Sequence, residues 1–133
     1  MGVARQLTVG WQNRPGELAN FCEALATAKV NILALATAEA GEYGAVRLLV
    51  DDVEQAREVF HERGVAHTSI EVLTATLGSN PGELAEIARL LSDNKINIEY
   101  FYASVSPDDG RAIGVFKVSD ATAADALLAP LQG

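Results

Sequence analysis

The sequence predicts an α+β fold built from two βαββαβ modules in tandem, each an antiparallel sheet with its helices on one face. The first observation behind this prediction is an internal repeat, because residues 13–35 and 79–101 align without a gap and share nine identities in 23 positions. The second is that the same order of strand-like and helix-like patterns surrounds both copies. No linker separates the copies, so we expect module boundaries at 1–70 and 71–133.

The first strand and first helix of each module follow from the spacing of apolar residues. Apolar and polar residues alternate before each helix, as in a half-buried strand. These apolar residues are Leu7, Val9 and Trp11 in the first module, and Leu73, Ala75 and Leu77 in the second. A Pro-Gly pair then opens each helix, where proline is tolerated because its missing N–H would have no helical partner. The helical faces predicted to be buried comprise Leu18, Phe21, Cys22 and Leu25 in one module, and Leu84, Ile87, Ala88 and Leu91 in the other.

The remaining elements complete a split βαβ, ferredoxin-like plan. Two extended segments flank a turn after each first helix, at 30–38 and 45–50 and again at 96–105 and 112–118. Aspartate caps are expected to start the second helices near Asp52 and Asp120. Residues 65–77 contain no Gly or Pro and are expected to end the first module and begin the second. The sequence stops at Gly133, so we expect the second module to lack its last strand and to expose an open sheet edge.

The composition argues against several classes of function. Acidic residues number 18 and basic residues 10, which gives a net charge of −8, and this negative field repels nucleic acid. No apolar run reaches the roughly 20 residues that cross a bilayer, and the N-terminus lacks the pattern of a signal peptide. Cys22 is the single cysteine, so no internal disulfide is expected. We therefore expect a cytoplasmic protein with no membrane or nucleic-acid partner and no cofactor.

The junctions between strand and helix are the places where we expect a small ligand. At each junction a glycine, Gly16 or Gly82, lets a ligand approach the backbone, and the free N–H groups of a helix N-terminus attract a carboxylate. Two amides, Asn13 and Asn31, offer donors and acceptors that suit a zwitterion, and in a ferredoxin-like sheet these two positions can lie at the same end. The same residues are also compatible with structural roles, as turn glycines, a helix cap and a strand-entry residue.

The motifs Trp-Gln-Asn-Arg-Pro-Gly-Glu-Leu and Lys-Val-Asn-Ile resemble the ACT domain family, and the resemblance covers nearly the whole chain twice. It implies a regulatory domain, of the kind found in amino-acid biosynthetic enzymes, that binds an amino acid at an interface between two modules. The pattern is most similar to the serine-sensing domains of phosphoglycerate dehydrogenase, whose ligand residues fall here on Trp11, Asn13 and Asn31. Trp11 replaces a histidine of that pattern, and Leu77 and Ser79 replace polar ligands in the second module. The site is therefore expected chiefly in the first module.

Together these features predict a non-catalytic protein that binds an amino acid and forms a homodimer. The alternative is a regulatory subunit that docks on a biosynthetic enzyme through an open strand edge, without a ligand of its own. No nucleophile–base pair, phosphate-binding loop or dinucleotide fingerprint in the sequence favours catalysis. The predicted ligand-binding residues are Trp11, Asn13, Arg14, Pro15, Gly16, Glu17, Leu18, Asn31, Ile32, Ser79, Asn80, Gly82 and Asn97, and no catalytic or metal-ligating residue is predicted.

Overall fold

The computed structural model of the chain describes residues 2–12, 14–40, 43–78, 81–105 and 111–132. Its helices and strands follow the predicted order, which confirms the α+β fold of tandem ferredoxin-like modules. The elements are β1 (Gly2–Gln12), α1 (Glu17–Thr27), β2 (Ile32–Ala40), β3 (Tyr43–Val50), α2 (Val53–Glu62), β4 (His67–Leu77), α3 (Glu83–Asp93), β5 (Ile98–Val105), β6 (Ala112–Val118) and α4 (Ala121–Gln132). The chain divides into two compact units, which we call the first unit, Arg5–Ile70, and the second unit, Met1–Ala4 with Glu71–Gly133.

The first unit has its strands in the order β2-β3-β1-β4. Strand β3 pairs antiparallel with both β1 and β2, so that Leu48 lies opposite Leu7 on one side and Leu35 on the other. Because side chains alternate along a strand, Leu7 and Val9 point to the same face and are almost fully buried. Helices α1 and α2 cover that face and complete the core, to which they contribute Ala24, Leu25, Ala56, Val59 and Phe60.

The second unit repeats this plan with the strand order β1-β4-β6-β5, in which β1 contributes its first residues. Phe116 of β6 lies opposite Leu73 of β4 and Phe101 of β5. The rings of Phe101 and Phe116 are 4.7 Å apart between centroids. Leu91 of α3 and Leu128 of α4 close the core above them. An aromatic pair therefore fills the place that Leu35 and Leu48 fill in the first unit.

Strand β4 serves both units, as the absence of Gly and Pro over residues 65–77 predicts. Within the described residues no strand follows α4, yet the edge of β4 is not open. The N–H of Gly2 donates to Oγ1 of Thr74 at 3.0 Å, and the Thr74 hydroxyl donates to the Gly2 carbonyl at 2.9 Å. The prediction of an exposed edge is therefore wrong, because the extended first residues of β1 lie beside β4 in the second unit.

The buried faces of α1 and α3 begin later than the sequence predicts. Leu18 and Leu84 lie in the first turns of their helices, and each is 41% exposed. The residues of α1 that contact the core are Phe21, Ala24 and Leu25, and the C-cap residue Ala28 continues this face. Cys22 is half-buried and is not among the core residues, so its prediction as a core residue is also wrong. The spacing of apolar residues predicts each helix correctly but misjudges which residues of its first two turns are covered.

Candidate functional site

A cavity of about 710 Å³ lies in the first unit, at the end where β1 leads into α1. Its lining comes from four segments: the end of β1 (9–12), the first half of α1 with the turn before it (14–24), the start of β3 (43–44) and the connection from α2 to β4 (60–66). Pockets that bind small molecules have volumes of roughly 300–1,000 Å³. An amino acid or a metabolite of similar size therefore fits this cavity.

The inner wall of the cavity is apolar. Phe60 is 2% exposed, and its ring lies 5.3 Å from that of Phe21 with the two planes 19° apart. Val9 and Ala24 are buried next to this aromatic pair, and Val65 packs against the same core. An apolar ligand group placed here would gain about 25 cal/mol for each Å² that it removes from water. The wall therefore favours a ligand with an apolar part.

Trp11 forms one side of the cavity, and its indole occupies space that a side chain on Gly44 would take. The two residues lie opposite each other in the β1–β3 pair. A Cβ atom on Gly44 would be 2.9 Å from Nε1 of Trp11 and 2.6 Å from the carbonyl oxygen of Ala38. Both distances are shorter than ordinary contacts, so only glycine leaves the indole its present position.

Charged side chains surround the opening of the cavity. Nη2 of Arg14 is 2.9 Å from Oε1 of Glu17, and these side chains are 64% and 29% exposed. Such an exposed pair contributes only about 0–1 kcal/mol, so a ligand can compete for either partner. Arg63, the C-cap of α2, also lines the cavity, and its guanidinium has no hydrogen bond or ion pair within the described part of the chain. The described residues at the opening, two arginines and one glutamate, together carry one net positive charge.

Three of the predicted ligand residues, Trp11, Arg14 and Glu17, line this cavity. Pro15 lies in the same turn, but it is not part of the lining. Gly16 precedes α1 with a φ of 87°, a left-handed conformation that favours glycine, and no side chain caps the helix there. Leu18 is exposed in the first helical turn and does not line the cavity either. The prediction for Asn13 falls outside the described residues.

Asn31 and Ile32 lie at the other end of α1. This helix has 11 residues, so it separates the Arg14 turn from Asn31 by about 16 Å. The N–H of Asn31 donates to Oδ1 of Asp51 at 2.9 Å, and the Asp51 N–H donates to the Asn31 carbonyl at 3.1 Å. The predicted grouping of Asn31 with the β1–α1 turn is therefore not formed within the unit, because the chain crosses the whole sheet along α1 before it reaches β2.

The second unit repeats the backbone of these positions but not the side chains. Gly82 begins α3 with a φ of 92°, and the N–H of Asn97 donates to the Ser119 hydroxyl at 3.1 Å, as Asn31 does to Asp51. Asn97 lines a separate cavity of about 380 Å³ at the end of α3. Leu77 stands where Trp11 stands in the first unit and is 9% exposed. The predictions for Ser79 and Asn80 fall outside the described residues.

The lining residues that the sequence motif does not predict include Tyr43, Gly44, Phe60 and Arg63. Each comes from an element that is distant in sequence from the β1–α1 turn, so no local motif connects them with it. The weak signal that exists is the Arg63-Gly64 pair at the end of α2. The glycine marks the end of the helix and so places the arginine there. Which residues the guanidinium then faces depends on the tertiary fold.

Comparison with known proteins identifies the family to which the chain belongs. A family model that describes an ACT domain pair matches residues 1–129. The chain belongs to the ACT domain pair family. Among proteins with curated functions none matches this chain. In the part of this ACT pair that the structure describes, no helix is long and apolar enough to cross a membrane, and no three His, Cys, Asp or Glu side chains are grouped to hold a metal ion.

Solved structures resemble this ACT pair over nearly its whole length. A protein of Bacteroides thetaiotaomicron is 28% identical, with a TM-score of 0.88, over 97% of this chain and 88% of the other. The ligand-free regulatory subunit of aspartate kinase from Thermus thermophilus is 19% identical, with a TM-score of 0.67, over 98% of this chain and 96% of the other. The corresponding subunit from Thermus flavus is 18% identical, with a TM-score of 0.58, over the same shares, 98% and 96%. At these identities the aspartate kinase subunits share the fold with this chain.

Proposed function

We propose that this ACT domain pair is a non-catalytic regulator that binds an amino acid in the cavity of the first unit. The observation that carries the proposal is that Trp11, Arg14 and Glu17, which the sequence motif singles out, line a cavity of about 710 Å³. The likeness to regulatory subunits of aspartate kinase supports a regulatory role. An amino acid bound there would contact both α1 and the α2–β4 connection, and would thereby favour the states in which these two segments pack together and which a partner protein would recognise.

The proposal retains the predicted site residues in two groups. The first is the β1–α1 turn, with Asn13 to Leu18 and Trp11, and the second is the strand-entry pair Asn31 and Ile32. The equivalent residues of the second module, Ser79, Asn80, Gly82 and Asn97, stay a prediction for a second site, which would differ from the first because Leu77 and Ser79 replace polar ligand residues. Because α1 keeps the two groups of the first unit about 16 Å apart, a second copy of the chain would have to bring them together.

We therefore also propose a homodimer, in which the Asn31 end of one protomer approaches the Arg14 turn of the other. Light scattering at micromolar concentration should give a mass twice the 14.1 kDa of one chain. A mass of one chain, with or without ligand, would refute the dimer. It would leave the cavity of the first unit as a site within one protomer.

A thermal-shift screen of the twenty amino acids at millimolar concentration tests the proposed function. At least one amino acid should raise the melting temperature, because a ligand that binds only the folded state stabilises it by RT ln(1 + [L]/Kd). At one hundred times Kd this amounts to about 2.7 kcal/mol, which is a readily measured shift. No response from any amino acid would contradict the proposal.

The second candidate is a regulatory subunit that acts through protein contacts alone. The observation that favours it is the equal exposure of Leu18 and Leu84, at 41% each, at equivalent positions of the two units. The same apolar residue is therefore accessible to a partner protein in the first turn of α1 and of α3. This candidate predicts that one biosynthetic enzyme co-purifies with the chain and that Leu18→Ser abolishes the co-purification. It also predicts that no amino acid shifts the melting temperature.

A further inference from the structure

We infer that the cavity of the first unit selects α-amino acids with large apolar side chains, and that Arg63 binds their carboxylate. The inference rests on the proposed function and narrows it to a class of ligand. It assigns a role to a residue at the end of α2, which lies outside the β1–α1 motif. The charge, the wall and the comparison of the two units each support it.

The charge at the opening is opposite to that of the chain. The net charge of the whole chain is −8, whereas Arg14, Glu17 and Arg63 together carry one positive charge at the cavity. Arg14 is already paired with Glu17 at 2.9 Å. Arg63 has no hydrogen bond or ion pair among the residues that the structure describes, and it is exposed. Its planar guanidinium matches a carboxylate with two parallel hydrogen bonds, so Arg63 can bind the carboxylate of an amino acid in this geometry.

The ammonium group of an amino acid would have a partner as well. Glu17 carries the negative charge at the opening, and its carboxylate has a second oxygen besides the Oε1 that accepts from Arg14. The opening thus presents a cation, Arg63 at the end of α2, and an anion, Glu17 at the start of α1. This arrangement is complementary to a zwitterion and less so to a plain carboxylic acid.

The wall determines which side chain fits. Behind the charged opening lie Trp11, Phe21 and Phe60, with Val9 beneath them. Among the residues that the structure describes, the charged side chains that line the cavity are those of Arg14, Glu17 and Arg63. A charged side chain placed against these rings would lose its hydration, which is unfavourable. A phenylalanine or leucine side chain would bury apolar area against the aromatic rings.

The second unit shows that the fold does not require the side chains that line the cavity of the first unit. Leu77 replaces Trp11 in the repeat alignment, and Asn80 replaces Arg14. In α4, Leu128 and Leu131 stand at the positions of Phe60 and Arg63, counted from the helix caps Asp52 and Asp120. The fold is kept without the arginines, so the fold does not require them. One ligand of this class is therefore expected per chain.

Calorimetric titration of the full chain with L-phenylalanine, L-leucine, L-serine and L-aspartate tests the class of ligand. Phenylalanine or leucine should bind with one site per chain and at least about tenfold more tightly than serine or aspartate. If serine or aspartate binds as tightly or more tightly, the inference is overturned while the proposed function stands. If none of the twenty amino acids binds, both fail.

Two variants of α2 test the role of Arg63. Arg63→Ala should weaken phenylalanine binding by about tenfold or more, because a charge-assisted bidentate contact is lost. Arg57→Ala is the matched control, since Arg57 lies on the same helix, is 47% exposed and does not line the cavity. It should bind phenylalanine like the wild type.

Phenylalaninamide, which lacks the carboxylate, separates the proposed contact from a general loss of structure. It should bind the wild type more weakly than phenylalanine does, and it should bind Arg63→Ala and the wild type equally. Thermal unfolding of each variant verifies that it is folded, and Arg63→Lys replaces Arg63→Ala if the latter unfolds. Equal affinity of phenylalanine for the wild type and the Arg63 variant would overturn the assignment.

Discussion

Trp11 depends on Gly44 for its position, and the second unit shows how the sequence adapts when the indole is absent. Gly44 faces Trp11 in the β1–β3 pair, whereas Ala112 faces Leu77 in the β4–β6 pair. The methyl group of alanine is accommodated beside leucine, but a Cβ on Gly44 would approach the indole to 2.9 Å. The tryptophan and the glycine therefore act as a pair that shapes the cavity.

The Gly44→Ala substitution should lower the free energy of unfolding by roughly 1–3 kcal/mol, the usual range when an extra carbon is forced into a packed site. Its Cβ would lie 2.6 Å from the Ala38 carbonyl, and that backbone atom cannot rotate away as a side chain can. Urea denaturation measures the change. Gly10→Ala is the control, because a Cβ there meets no atom within 4 Å. Equal stabilities of the two variants would contradict the packing described for Gly44.

Some features of the site could be predicted from single residues and others could not. Trp11, Arg14 and Glu17 were predicted because they belong to a local motif next to the helix start. Arg63 was missed because its approach to the motif depends on how α2 ends over the sheet. For Asn31 the motif identifies the residue but not its distance from the β1–α1 turn, since α1 carries the chain to the opposite end of the sheet before Asn31.

The helices α1 and α3 end in the same unusual conformation. Lys29 and Lys95 have φ angles of 61° and 60°, a left-handed region that non-glycine residues adopt at a cost of roughly 1–2 kcal/mol. In each case the following residue donates its N–H back into the helix, as Val30 does to Leu25 and Ile96 to Leu91. Helix α2 uses Gly64, with a φ of 66°, in this role.

Replacing either lysine with glycine should therefore stabilise the protein. We expect Lys29→Gly and Lys95→Gly each to raise the free energy of unfolding by about 0.5–1 kcal/mol, because glycine has no penalty in the left-handed region. Thermal or urea unfolding provides the measurement. Ala28→Gly is the neighbouring control: its φ is −83°, so glycine there should destabilise. A loss of stability in both lysine variants would contradict the proposed strain.

At the level of helices and strands, the sequence predicts most of the fold because periodicity is a local property. The alternation along β1 and β4 and the Pro-Gly helix starts correspond to the observed elements. The closure of β4 by residues 2–4 could not be predicted in this way. It depends on a hydrogen-bond pair between Gly2 and Thr74, which are 72 positions apart, and no short sequence window contains both residues.

At the scale of the whole molecule, the two repeats share a backbone and differ in chemistry. Both units keep the turn glycine and the strand-entry asparagine, and both bury one face of their strands under two helices. Only the first carries the tryptophan and the two arginines around its cavity. We therefore expect the first unit to bind the ligand, while the second preserves the ACT fold and is available for contacts with a partner.

The most direct test of a ligand site in the first unit is the fluorescence of Trp11. It is the only tryptophan in the chain and it lines the cavity, so its emission reports on that place alone. Titration with the amino acid that gives the largest thermal shift should change the emission of Trp11 saturably, with the same Kd as calorimetry. If the amino acid binds by calorimetry and the emission stays unchanged up to saturation, the ligand lies elsewhere and the central claim is contradicted.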